Sequence, residues 1–187
     1  MLRGFRRGAL LILVVGLALS VVACGQVGKL QAKKAFKEAN TLYQQQEYQR
    51  AAARYEEAVQ ADPELSVAYF YLGNSYDNLY KPSRRGEAEN DSYLTKAIEN
   101  YTKAADKEQD PKMRRLALEY LVAAYGPDKM NDPTQAEPIV QRMIQLDPQE
   151  SSNYFALAKI YEDMGEYEKA EKTLLDAEAA RPNDPQV

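Results

Sequence analysis

The chain has 187 residues, enough for one domain or for several stacked repeat units. It contains no His, no Trp and one Cys, so it lacks the commonest neutral-pH base and metal ligand and cannot form an internal disulfide or a thiolate zinc site. Lys and Arg total 24 against 28 Asp and Glu, a net charge of −4 with no dense basic stripe, which argues against nucleic-acid binding.

The first 27 residues read as an address. Arg3, Arg6 and Arg7 precede an apolar run from Ala9 to Ala23, followed by Cys24 and Gly25. A basic start, a short apolar stretch and a small residue before a cut site are the marks of a secretory signal. The run is shorter than the roughly 20 residues a spanning helix needs. Val21-Val22-Ala23-Cys24 resembles the bacterial lipobox. That resemblance implies cleavage after Ala23, acylation of Cys24 and a lipid-anchored protein of the cell envelope. Gly25, in place of Asp, resembles a signal for sorting to the outer membrane, on its periplasmic face. The alternative is an uncleaved anchor from about Gly8 to Val27, in the inner membrane. In both cases the arginines keep the start of the chain inside and put residues 28–187 outside the cytoplasm. Residues 24–31 are expected to be a short linker.

Apolar residues then recur at helical spacing, with no competing strand pattern. The expected helices are 31–45, 48–61, 66–80, 92–107, 112–125, 134–146, 151–163 and 167–180. Proline closes three of the even-numbered helices at Pro63, Pro148 and Pro182, because it has no N–H and clashes with the preceding turn. Thr134 with Glu137 reads as a capping box that opens the sixth helix and makes Pro138 its fourth residue.

A self-similar pattern runs through these helices. The last copy reads Tyr154, Leu157-Ala158, Tyr161, Gly165, Tyr167, Ala170, Leu174, Ala177, Pro182. The first reads Ala35, Ala39, Leu42, Tyr48, Ala51, Tyr55, Ala58, Pro63. The second keeps Tyr69, Leu72-Gly73, Tyr76, Ala97, Tyr101 and Ala104 but carries an insertion at 80–91. The third departs most, with Val122 and Met143 where small residues are usual. These spacings resemble the tetratricopeptide repeat, of about 34 residues. The resemblance implies an all-α fold: a right-handed superhelical stack of about four helix–turn–helix units at 32–65, 66–109, 112–150 and 151–184, with 185–187 as a tail. Small residues at Ala39, Gly73 and Ala158, opposite Ala51, Ala97 and Ala170, are expected to let paired helices approach closely.

In that family the first helices of the units line a concave groove that holds a protein or peptide partner. Carried over by register, the groove residues are Lys33, Phe36, Asn40, Phe70, Asn74, Asp77, Glu119, Phe155, Lys159 and Glu162. Three of the four Phe share one register position, and the Asn amides could bond a peptide backbone. Packing against the next helix is the other reading of the same positions. With Phe36 and Glu119 where a carboxylate clamp would need cations, an acidic C-terminal tail is not an expected ligand.

The segment from Tyr80 to Asp91, basic then acidic, reads as a loop that could fold on itself. No extra polar helix follows the last unit, so Leu175 and its neighbours are expected to be partly exposed, inviting self-association. No catalytic, cofactor or metal site is expected. The function expected is a membrane-tethered interaction scaffold that assists assembly or localisation of an envelope complex. A single-pass docking subunit of a respiratory or signalling complex is the alternative.

Overall fold

A computed structural model describes residues 26–182, and every regular element among them is helical. Helix α1 covers 26–44. It is followed by α2 (Tyr48–Ala61), α3 (Ser66–Leu79), one 3-10 turn (Pro82–Arg84), α4 (Ala88–Lys107), α5 (Pro111–Tyr125), α6 (Pro133–Leu146), α7 (Ser151–Asp163) and α8 (Tyr167–Ala180). Each helix packs on the next, and α3 also touches α5, so hairpins of helices stack in chain order. The lipobox-like stretch ending at Cys24 and the apolar run before it lie outside the described residues.

The turns show the repeat at the level of single hydrogen bonds. Between α1 and α2, Gln46 donates its N–H to the Tyr43 carbonyl and Glu47 donates to that of Leu42, both at 2.9 Å. Between α7 and α8, Gly165 and Glu166 do the same to Glu162 and Tyr161 at 2.9 and 2.8 Å. The residue that reverses the chain is left-handed in both turns, Gln46 with φ 61° and Gly165 with φ 75°. In the longer third turn Asn131 takes that role with φ 55°, and Asp132 donates to Tyr125 at 2.9 Å.

Three local expectations differ from the structure. The segment 24–31, expected as a linker, is helical from residue 26: Ala32 and Ala35 are buried, and Gly28 lets the helix run back close to α2, since a Cβ there would lie 2.7 Å from the Ala61 carbonyl oxygen. Helix α4 starts at Ala88, one turn early: the Asp91 carboxylate accepts the Gly86 N–H at 3.0 Å, and acidic residues in a first turn suit the helix dipole. Helix α6 is opened by Asp132, which accepts the Gln135 N–H at 3.3 Å and the Thr134 hydroxyl at 2.5 Å. Glu137 is unavailable as the second half of a capping box, since it accepts from the Tyr161 hydroxyl at 2.9 Å and from Gln141 at 3.0 Å. Pro138 therefore lies deeper inside α6 than expected.

The main core is built around Tyr55, Tyr101 and Leu118, with alanines at the close contacts between helices. Its aromatic rings form one connected network: Phe36, Tyr43, Tyr48, Tyr55, Phe70, Tyr71, Tyr101 and Tyr120, with Tyr71 at its centre. A second core joins Val140, Leu157, Ile160 and Tyr161.

Candidate partner groove

The odd-numbered helices carry the register positions that the sequence assigns to a groove. Phe36 is half-buried, its ring 5.7 Å from that of Tyr55 and 6.0 Å from Tyr71. Phe70 is deeper, 5% exposed, and held by Tyr71 and Tyr120 at 5.3 Å each. Its ring is therefore mainly a packing element. The two amides are oriented by hydroxyls: Tyr55 donates to Asn40 Oδ1 at 2.6 Å and Tyr43 donates to Asn74 Oδ1 at 3.2 Å. Each such bond leaves the amide N–H₂ of its Asn as the donor end.

Asp77 sits among three other elements. Lys129, from the turn between α5 and α6, binds both of its oxygens at 2.6 and 2.7 Å, and the Tyr101 hydroxyl donates to it at 3.2 Å. The insertion sets this arrangement from outside, because the Arg85 guanidinium donates to the backbone carbonyls of Pro127 and Lys129. The insertion is itself pinned by Asn90, which accepts the Lys81 N–H at 2.8 Å and donates to the Lys81 carbonyl at 3.0 Å. Between those anchors, residues 81–89 are exposed.

The result is a cavity of about 410 Å³ bounded by Tyr43, Asn74, Asp77, Asn78, Tyr120 and Lys129. Its walls come from α1, α3, α5, the start of the insertion at Tyr80 and Pro82, and a distant turn. Of the sequence-assigned residues it gathers Asn74 and Asp77. Glu119 is instead paired with Arg115 at 2.8 Å, and Lys159 is paired with Asp163. Phe155 is half-buried on α7, and Lys33 and Glu162 are exposed. None of these five lines the cavity. A larger cavity, about 470 Å³, lies apart between α5, α6 and α7 around Leu118, Met143 and Leu146.

Sequence reasoning missed Tyr43, Tyr71, Tyr120, Asn78 and Lys129. A signal existed for two of them, since Tyr71 and Tyr120 each follow the register position of Phe70 and Glu119. Lys129 carried none, because a turn residue has no helical register.

Models of the tetratricopeptide repeat family match residues 36–79 and 129–187. This chain is a tetratricopeptide-repeat protein. Solved structures with this architecture include MamA, 18% identical over 83% of this chain and 81% of that one, with a TM-score of 0.61. YrrB, described as a repeat protein of this family with an unusual peptide-binding site, is 19% identical over 79% of this chain and 68% of its own, at 0.54. The thermophilic repeat protein TTC0263 of Thermus thermophilus is 18% identical over 92% of this chain and 91% of its own, at 0.51. At these identities the likeness is one of fold. No curated protein matches the chain by sequence.

The tetratricopeptide-repeat fold is that of a protein–protein interaction scaffold. Among the described residues no group of three or more His, Cys, Asp or Glu side chains is placed to hold a metal ion. Among the same residues, no helix is long and apolar enough to cross a membrane.

Proposed function

We propose that this protein is a membrane-tethered scaffold of a bacterial envelope, whose groove holds an extended segment of a partner protein during assembly or localisation of a larger complex. The observation that carries the groove is the cavity between α1, α3 and α5. It combines partly exposed tyrosine rings with the Asn74 amide, already oriented by the Tyr43 hydroxyl, which suits an extended backbone with alternate side chains on rings. The tether rests on the basic start, the apolar run and Cys24.

Asn78 is exposed at the mouth of this cavity, where its amide donates to the Asn74 carbonyl of its own helix at 2.8 Å and meets the Tyr43 hydroxyl. Asn78→Arg therefore obstructs the groove without touching the core. Crosslinking and capture of full-length protein from its native membrane should lose the partner in this variant, with helicity unchanged. A partner retained by Asn78→Arg would remove the groove as the binding surface. In the same preparation, intact mass separates the two tethers: cleavage before Cys24 with acylation, or an unprocessed chain.

The last unit supports a second contact. Tyr167 is 70% exposed and Leu175 59%, both on α8, with no helix stacked beyond them among the described residues. Self-association through this helix is expected to appear as a rising mass in sedimentation at increasing concentration and to be abolished by Leu175→Glu. A constant monomer mass counts against it.

A further inference from the structure

The opposite end of the stack has a different chemistry. In the inner units, the face of the first helix that looks back along the stack is covered by the preceding unit: Ala68 is fully buried and Tyr71 packs on Phe36, Tyr43 and Tyr55. One unit earlier the same register positions are Lys34 and Lys37, both exposed, because among the described residues no unit precedes α1. Val27 and Leu30 lie on the same stripe of α1, at spacings of three and four residues from each other and from these lysines. They are 56% and 71% exposed. Lys29 and Lys33 flank the stripe and are exposed as well.

Residues 26–37 contain no Asp or Glu, in a chain whose net charge is −4. Glu38, the nearest acid along α1, is 3.6 Å from Arg54 and is thereby engaged. Among the described residues none of the four lysines forms an ion pair. A solvated cap accounts for lysines at the end of a stack. It does not account for a Leu and a Val standing among them in water.

From this charge pattern and the apolar side chains beside it, we infer that the first three turns of α1 lie against a bilayer surface bearing anionic phospholipid. Lysines meet the headgroups, and Leu30 and Val27 enter the interface. The occupant is argued from charge complementarity and from continuity with the apolar run Ala9–Ala23, two residues before the described chain begins. The inference rests on the proposed tether for its geometry, since a tether at Cys24 holds this face beside the membrane. It adds that the stack is oriented: α1 points to the bilayer and α8 away from it.

Full-length protein would be reconstituted into vesicles of phosphatidylcholine alone or of phosphatidylcholine mixed with phosphatidylglycerol. Amine-reactive labelling, read by mass spectrometry, follows Lys29, Lys33, Lys34 and Lys37, with exposed Lys172 on α8 as the internal reference. The expected result is labelling at least about fivefold slower at the four N-terminal lysines on the anionic vesicles, reversed by high salt, with Lys172 unchanged. Equal labelling on both vesicles overturns the inference and leaves the lysines as a solvated cap. The tether is read separately, by flotation with neutral vesicles. A chain that fails to float there has lost the tether reading alone. As a second measurement, Lys33→Gln, Lys34→Gln and Lys37→Gln together, all at exposed positions, should remove the salt-reversible protection of Lys29 on the anionic vesicles in the full-length protein. Protection of Lys29 unchanged by the three substitutions overturns the inference.

Discussion

Replacing Tyr101 with Ala is expected to destabilise the folded stack by about 3–5 kcal/mol, the range for truncating a fully buried aromatic residue. The ring is 0% exposed, lies against Phe70 and Tyr120, and directs its hydroxyl to Asp77. It also explains why position 73 is glycine. A Cβ added there would lie 2.8 Å from one Tyr101 ring carbon, 2.9 Å from another and 3.1 Å from the Ala97 carbonyl oxygen. Gly73→Ala alone should therefore cost about 1–3 kcal/mol through overpacking, even though Ala is the better helix former by about 1 kcal/mol. The two substitutions should not add. With the ring gone, only the Ala97 carbonyl oxygen at 3.1 Å still crowds the new methyl, so Gly73→Ala should cost far less in the Tyr101→Ala background than in the parent chain. Urea unfolding of the four chains of this cycle measures the coupling. Additive losses would mean that the ring does not set the approach of α3 to α4.

Alkaline unfolding is the second large effect expected. Burial, above all other causes, pushes the phenols of Tyr55, Tyr76 and Tyr101 well above the ordinary value of 10.0. Neighbouring carboxylates add to this at Tyr76, through Glu56, and at Tyr101, through Asp77. The sign follows from proton counting. In the unfolded chain these phenols lose their protons near pH 10, whereas the folded chain retains them, so the unfolded state binds fewer protons above that pH and stability falls as pH rises. The contribution is complete below pH 10 and is lost progressively above it, by up to about 1.4 kcal/mol per pH unit for each phenol. The share of the tyrosinate absorbance that belongs to Tyr55, Tyr76 and Tyr101, read by difference from the Phe variants, should appear above pH 10 together with the loss of helicity. Ionisation of those three phenols with full helicity would contradict their buried, hydrogen-bonded placement. Tyr55→Phe, Tyr76→Phe and Tyr101→Phe in combination should move the loss of helicity to higher pH, since Phe has no proton to release.

Both effects bear on the groove. Tyr101 joins the helix pairing to the acid at the groove end, and Tyr55 orients Asn40 on its other side. The hydroxyls that anchor the core thus also aim polar groups toward the proposed groove. A Phe substitution that preserves packing would still take the hydroxyl donor from Asn40, or leave Asp77 with Lys129 alone.

The helices, their order and their stopping points were determined by the sequence itself, because those are local matters. A period of three to four residues selects the buried stripe, and proline removes a donor and ends a helix. Repetition of the same small and aromatic positions then implies that each hairpin stacks on the next. Even so, three helix starts moved: α1 runs back to residue 26, Asp91 holds the Gly86 N–H just ahead of α4, and Asp132 takes the Gln135 N–H at the start of α6. What only the tertiary structure decided is which aromatic ring faces in and which faces the groove. Periodicity names the apolar face of a helix but not the neighbour that covers it, so Phe70 went inside while Tyr43 and Tyr120 came to line the cavity. The same holds for charge. Lys129 and Asp77 are 52 positions apart, and Arg85 holds the turn that joins them. No local pattern encodes that meeting, because it exists only once the insertion has packed against the third unit.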